Sequence, residues 1–170
     1  MPIVVAVLVV SAILTHRAGY RRGNDILGYI TVGFVTVDLL ISVGLLISRL
    51  PDHRETPLEL LKAAAGLWFA NVIVFASWYW RLDGGGPNRR ERRQHHNDGA
   101  FLFPQMTLTH THGWRPNFVD YLFLAFNTST AFSPTDAPVL TRWAKLLMMV
   151  QASISLSTIA VLAARAVNVL

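Results

Sequence analysis

Three long apolar runs constrain the fold of this chain more than any other feature of its sequence. They occupy residues 26–48, 58–80 and 146–164. Each run provides about 20 residues, the length that an α-helix needs to cross the roughly 30 Å hydrocarbon core of a bilayer. The sequence therefore predicts an all-α transmembrane protein with three full spans, a multi-pass protein that we expect in the cell (inner) membrane.

Two shorter apolar segments complete the predicted architecture. Residues 2–14 are followed, not preceded, by arginines, so they predict a short or tilted N-terminal helix and not a cleaved signal peptide. Residues 117–131 are apolar and aromatic but too short to cross, and a proline-containing turn follows them. This pattern before a full span predicts a re-entrant segment, which must be buried in protein or line a water-filled cavity. The alternative is an amphipathic helix that lies in the interface.

These elements predict a single integral membrane domain over residues 1–170, with N-terminal helices in 1–57. A polar stretch at 81–116 includes three consecutive glycines and many arginines, and it predicts a mobile loop. The loop and the ends of the neighbouring spans place eleven basic residues on one side of the membrane. These are Arg17, Arg21, Arg22, Arg81, Arg89, Arg90, Arg92, Arg93, Arg115, Arg142 and Lys145.

Only four basic residues, Arg49, Arg54, Lys62 and Arg165, belong to the other side. The bias predicts that the arginine-rich side is cytoplasmic. Aromatic residues accompany that side and are expected to form an interfacial belt. They are Trp78, Tyr79, Trp80, Trp114 and Trp143.

The composition excludes several classes of site. The chain has no cysteine, so it has no disulfide, no thiolate nucleophile and no cysteine-ligated metal. The net charge of +5 comes from arginine clusters that, in a hydropathic chain, indicate topology instead of nucleic-acid binding. No catalytic sequence motif is present, and the histidines at 95–96 and 110–112 have no acidic co-ligands at ligand spacing. We expect no enzymatic activity, no metal, no cofactor and no nucleic-acid partner.

The segment before the last span resembles the pore region of tetrameric potassium channels. The similarity covers residues 120–136 and continues through a Pro/Thr turn to Arg142. It implies a channel-pore-like unit over 58–170, with residues 58–80 as the outer helix, 118–131 as the pore helix and 140–169 as the inner helix. The positions equivalent to the pore loop and selectivity filter are then Thr128, Thr130, Phe132, Ser133, Pro134, Thr135 and Asp136.

The filter sequence of that family is missing. Where the family has Gly-Tyr-Gly, this chain has Phe132-Ser133-Pro134, or Ser133-Pro134-Thr135 with a one-residue shift. Potassium is coordinated by consecutive backbone carbonyls in a glycine-dependent conformation, and Pro134 fixes φ and adds bulk there. The sequence therefore predicts that selective potassium conduction is absent. In these channels the pore loop lies on the outer side, so the resemblance implies the opposite orientation to the charge bias.

Several stretches are also similar to a group of actinobacterial multi-pass membrane proteins. They surround Trp68 and Trp78-Tyr79-Trp80, and they continue through residues 83–87 and 101–105. This resemblance covers most of the chain. It implies a pore-domain fold with a repurposed or lost filter and no particular activity.

Polar residues inside the spans are the candidate site. Asp38 lies at the centre of the first span, where a carboxylate costs about 3 kcal/mol on insertion scales and needs partners. Asn71 lies at similar depth, and the last span presents Gln151, Ser155 and Thr158 along one face. One interpretation is a proton or cation path. The other is a set of interhelical hydrogen bonds, each worth about 1 kcal/mol.

Small residues in the last span favour close helix packing, within the chain or with a partner. They are Ser153, Ser157, Ala160 and Ala164. Three functions are compatible with these features. The first is a non-catalytic subunit of a larger membrane assembly, for example an envelope lipid importer of the Mce type. The second is a homotetrameric channel of weak or unusual selectivity, and the third is a proton-linked transporter component that uses Asp38.

Overall fold

The computed structural model describes residues 21–48, 56–92, 99–108, 114–131 and 137–166. The α-helices of these ranges are α1 (Arg21–Ser48), α2 (Pro57–Leu82), α3 (Pro87–Arg92), α4 (Phe118–Ala131) and α5 (Arg142–Ala166). Among them, α1, α2 and α5 are long and apolar enough to cross a membrane. The prediction of a membrane protein with helical spans is therefore confirmed. The predicted short helix at 2–14 lies outside the described residues.

Helix α2 is the centre of the fold, because it packs against α1, α4 and α5. The hydroxyl of Tyr29, near the start of α1, donates to the carbonyl oxygen of Arg81 at the end of α2. Asn71, near the middle of α2, donates to Ser155 in the second half of α5. Eight residues further along α2, Tyr79 contacts Gln151, which precedes Ser155 in α5, and Trp78 contacts Thr36, which follows Tyr29 in α1. Both α1 and α5 therefore run antiparallel to α2, and both begin at the end of the bundle where α2 ends.

The two ends of α2 follow from local sequence. Thr56 caps its first turn, and the side chain of Glu59 accepts a hydrogen bond from the Thr56 backbone N–H in return. Beyond its last turn come Gly85 and Gly86 with φ of 80° and 92°. Backbone with positive φ of this kind costs other residues about 1–3 kcal/mol, so glycines permit the sharp turn into α3.

Part of the predicted mobile loop belongs to the core instead. Phe101 is 1% exposed, and its ring lies 5.2 Å from that of Tyr79 and 6.2 Å from that of Tyr121. Phe103 is also buried, against Tyr121 and Trp114. Residues 99–108 therefore form a short apolar segment that follows the arginines and packs on the helices.

Helix α4 covers about half the length of α2. Its first residue, Phe118, packs on Trp80 with ring centres 5.8 Å apart, and Phe126 packs on Trp68 at 5.7 Å. The helix therefore begins beside the end of α2 and reaches the level of the middle of α2. Reciprocal hydrogen bonds hold its start, from the Asn117 N–H to Asp120 and from the Val119 N–H to Asn117.

Residues on either side of α4 meet at one end of the bundle. The Leu102 N–H donates to the Pro138 carbonyl at 3.0 Å, and the Leu140 N–H donates to the Ala100 carbonyl at 2.8 Å. The contact forms an isolated antiparallel bridge between Phe101 and Val139. Helix α5 starts next to it, where Trp143 packs on Phe101 with ring centres 6.3 Å apart.

Candidate functional site

A polar network inside the bundle is centred on Gln151 of α5, which is 0% exposed. Its side-chain oxygen accepts a hydrogen bond from the hydroxyl of Tyr79 in α2. Its amide nitrogen donates to the carbonyl oxygen of Ala125 and to the hydroxyl of Ser129, both at 2.8 Å. One side chain of α5 therefore connects the central helix α2 to the half-length helix α4.

Tyr79 is an internal residue of this network and not part of an interfacial belt. Its side chain is 0% exposed, against the prediction from its neighbours Trp78 and Trp80. Its neighbours Trp78 and Trp80 are only partly buried. Trp78 faces α1, where it donates to the hydroxyl of Thr36 at 2.8 Å. Because the three aromatic residues are consecutive, the sequence does not indicate which of them faces the core.

A second connection links α2 and α5 one turn away from Gln151. The side-chain nitrogen of Asn71 donates to the hydroxyl of Ser155 at 2.7 Å and to the backbone carbonyl of Gln151 at 3.2 Å. Thr158, one turn further on, donates to the Ile154 carbonyl of its own helix. All of these predicted stripe residues are buried.

Asp38 is separate from this network. Its side chain is half-buried on α1. Within the described ranges it makes no hydrogen bond and no ion pair. The structure therefore brings Asn71, Gln151 and Ser155 together but leaves Asp38 apart from them.

A second buried polar cluster surrounds Asp83, directly after α2. The hydroxyl of Tyr121 in α4 donates to Oδ2 of Asp83 at 2.6 Å. The backbone N–H of Ala100 donates to Oδ1 of the same carboxylate. A Cβ atom built on Gly99 would lie 2.9 Å from that oxygen, so the glycine permits the close approach. Burial, and then the nearby Asp83 charge, raises the pKa of Tyr121, so that its hydroxyl remains a donor.

Arg90 of α3 completes the cluster, although the sequence suggested only a role in topology. It is 4% exposed. Its Nη1 donates to the carbonyl oxygens of Trp80 at 2.6 Å and of Asp83 at 2.7 Å. Its Cζ lies 5.1 Å from the centre of the Tyr121 ring. The guanidinium thereby satisfies carbonyls at the end of α2 and brings a positive charge close to the buried Asp83.

Sequence reasoning missed this Asp83 cluster (Asp83, Arg90, Ala100 and Tyr121). An aspartate before three glycines is typical of a turn, and an arginine within a basic run is typical of a solvated loop. One feature of the sequence could have indicated the cluster. Asp83 follows directly after a predicted span, where a buried carboxylate would need hydrogen-bond donors.

The remaining predicted positions are distributed as follows. Thr128 is buried and donates to the Leu124 carbonyl of its own helix at 2.8 Å, whereas Thr130 is exposed near the end of α4. The filter-equivalent positions Phe132, Ser133, Pro134, Thr135 and Asp136 lie outside the described residues. Three of the packing positions, Ser153, Ala160 and Ala164, are exposed on α5, and Ser157 is partly exposed.

No group of three or more potential metal ligands occurs among the residues that the structure describes. The predicted histidine pairs, at 95–96 and 110–112, lie outside them. Comparison of the chain with known protein families, with curated proteins and with solved structures found no match. The class that the fold defines is a helical membrane protein.

Proposed function

We propose that the chain is a non-catalytic integral membrane subunit with a potassium-channel-like pore fold that lacks the selectivity filter. It serves as an accessory component of a larger membrane transport assembly. The observation that carries this proposal is the network around Gln151, which uses the polar face of α5 inside the chain. The small-residue face of the same helix stays exposed for a partner.

The arrangement of α4 supports a re-entrant segment. The chain enters beside the end of α2, where Phe118 contacts Trp80, and α4 reaches the level of Trp68. By Val139 the chain is back at the entry side, paired with Phe101. A helix that enters and a chain that leaves at the same end of a bundle is the geometry of a re-entrant loop. Helix α4 is covered by α2 and α5, as backbone at membrane depth requires.

The hydrogen bonds of the network favour packing over conduction. A proton or cation path needs polar groups that exchange partners with water. Asn71, Gln151 and Ser155 are instead 0% exposed and bonded to helix partners. In membranes such bonds average about 0.6 kcal/mol each, enough to specify how helices pack. The network therefore supports a subunit whose helices form a fixed scaffold.

The basic residues support a cytoplasmic position, at the inner membrane, for the end of the bundle where α2 ends and α4 begins. Arg81, Arg89, Arg142 and Lys145 all belong to the end where α2 ends and α5 begins. Few basic residues belong to the opposite end, and this bias is the usual determinant of topology. A reporter enzyme fused after Leu170 tests the orientation, since α5 ends on the opposite side.

A homotetrameric channel of weak or unusual selectivity is the second candidate. The observation in its favour is Thr130, which is exposed near the inner end of a half-length helix. In the tetramer that the potassium-channel resemblance implies, Thr130 would belong to the pore loop. Flux from protein-containing liposomes that changes in Thr130→Ala and in Pro134→Gly would support the channel.

Purification of the tagged chain from native membranes, with the mass and composition of the particle determined, tests the proposal. We expect one copy of the chain together with other membrane proteins. Ala160→Leu, on the exposed small-residue face, should release the chain from that particle. Gly44→Leu is the matched control, because it places the same side chain on an exposed face of α1, where a Cβ atom would meet nothing within 4 Å. Recovery only as a homotetramer of the 18.9 kDa chain would overturn the proposal.

A further inference from the structure

The guanidinium of Arg81 occupies a gap between α1 and α2. A Cβ atom built on Gly28 would lie 1.9 Å from Nη1 of Arg81, so the glycine leaves the space that the guanidinium fills. Cζ of Arg81 lies 6.0 Å from the centre of the Tyr29 ring and 5.5 Å from that of Trp80. The Gly28 backbone and two aromatic rings therefore hold this cation in one place.

The backbone at this level is fixed as well. The hydroxyl of Tyr29 donates to the carbonyl oxygen of Arg81 at 2.9 Å and so ties α1 to α2. The Arg81 side chain is half-buried, and within the described ranges its guanidinium donates no hydrogen bond and forms no ion pair. A guanidinium has five N–H donors. Partial burial of a charge with unused donors is unfavourable until an acceptor arrives.

Asp25, one turn before Tyr29, is an acidic residue that influences this cation. It acts on Arg81 electrostatically, but its Oδ1 accepts a hydrogen bond from Asn88 at 2.7 Å. The carboxylate lowers the local positive charge without occupying the guanidinium donors. One guanidinium beside one carboxylate leaves little net positive charge, so the site favours a singly charged anion over a doubly charged one.

We propose that the Arg81 gap, defined by Gly28, Tyr29, Trp80 and Arg81, binds the phosphodiester group of an anionic membrane lipid. Arg81 lies close to the end of the candidate span Leu58–Gly85. Tryptophan and tyrosine beside it are typical of the headgroup level of a bilayer. The planar fork of a guanidinium matches two phosphate oxygens, and a lipid phosphodiester carries one negative charge. The inference does not depend on whether the chain is an accessory subunit or a channel.

Native mass spectrometry of the purified chain with phosphatidylglycerol, phosphatidylcholine or inorganic phosphate alone tests this site. We expect a preference for phosphatidylglycerol. In Arg81→Gln its affinity should fall about tenfold, because a charge-assisted hydrogen bond is lost. Arg89→Gln is the matched control, since Arg89 is an exposed arginine at the same end of the bundle.

Two further variants separate a built site from general attraction by charge. Gly28→Ala keeps every charge but fills the space of the guanidinium, so it should weaken lipid binding as Arg81→Gln does. Asp25→Asn keeps an acceptor for Asn88 and removes the competing charge, so it should strengthen binding. Arg81→Lys, which keeps the charge without the fork, should give an intermediate loss and replaces Gly28→Ala if circular dichroism shows that the latter is unfolded.

Equal losses in Arg81→Gln and Arg89→Gln would overturn the proposal in favour of a diffuse basic surface. Equal binding of phosphatidylcholine and phosphatidylglycerol would also overturn it. Binding of inorganic phosphate that depends on Arg81, without any lipid preference, would support the phosphate chemistry and overturn the lipid as its source.

Discussion

The hydroxyl of Tyr121 lies 2.6 Å from Oδ2 of Asp83 and joins the first turn of α4 to the end of α2. Both side chains are 0% exposed, and the two residues are 38 positions apart in the chain. Burial of a carboxylate is tolerated only when its oxygens have donors, and α4 and Ala100 supply two of them here. The contact therefore positions the half-length helix relative to the central one.

Removal of that hydroxyl should destabilise the protein. In Tyr121→Phe a buried carboxylate loses one of its donors, which costs about 1–3 kcal/mol of unfolding free energy. Tyr29→Phe is the matched control, because Tyr29 also loses one hydrogen bond but is 37% exposed, so water replaces it. Thermal unfolding in detergent, followed by circular dichroism, should show the larger decrease in melting temperature for Tyr121→Phe. Equal decreases would contradict a structural role for the Asp83 cluster.

The Gln151 network should contribute measurably to helix packing. Gln151→Leu leaves the hydroxyls of Tyr79 and Ser129 without their partner in α5 and removes a donor to Ala125. Three membrane hydrogen bonds at about 0.6 kcal/mol each predict a loss near 2 kcal/mol. Ser153→Ala, on the exposed face of α5, should change stability by less than about 0.5 kcal/mol. If the two variants unfold alike, the network does not hold α4 in place.

The sequence predicted those features that depend on residues close together in the chain. Apolar run length located α1, α2 and α5, and the spacing of Gln151 and Ser155 placed them on one face of α5. The hydrogen bond between Asp120 and Asn117 at the start of α4 is another contact of this local kind, since the two residues are only three positions apart.

What the sequence did not predict depends on contacts between distant segments. Arg90 looks like a solvated arginine until Trp80, Asp83 and Tyr121 are brought around it. Phe101 looks like a loop residue until it pairs with Val139. Composition describes a stretch by its average, so an apolar segment inside an arginine-rich loop was assigned to the loop.

The glycine turn after α2 offers a test of backbone conformation. Gly86 has a φ of 92°, and a Cβ atom there would lie 3.0 Å from the Arg81 carbonyl oxygen. Gly86→Ala should therefore destabilise the protein by about 1–3 kcal/mol, because a φ of 92° with a ψ of 169° is a conformation that is essentially restricted to glycine. Gly44→Ala in α1 is the control. It meets nothing within 4 Å, and a helical alanine should stabilise by roughly 0.5–1 kcal/mol. Opposite signs of the two changes in melting temperature are the expected result.

The carboxylate of Asp38 distinguishes a scaffold from a proton-linked transporter. It is half-buried in α1 and, within the described residues, has no hydrogen bond or ion pair. In a scaffold, Asp38→Asn removes a charge that costs about 3 kcal/mol at mid-bilayer, so assembly should persist and stability should rise. Ser42→Ala, one turn further along α1, is the control for a change without charge. Purification from native membranes and thermal unfolding of both variants give the comparison. A complex that assembles normally but loses all transport in Asp38→Asn alone would show that the carboxylate moves protons, and the accessory role would then be wrong.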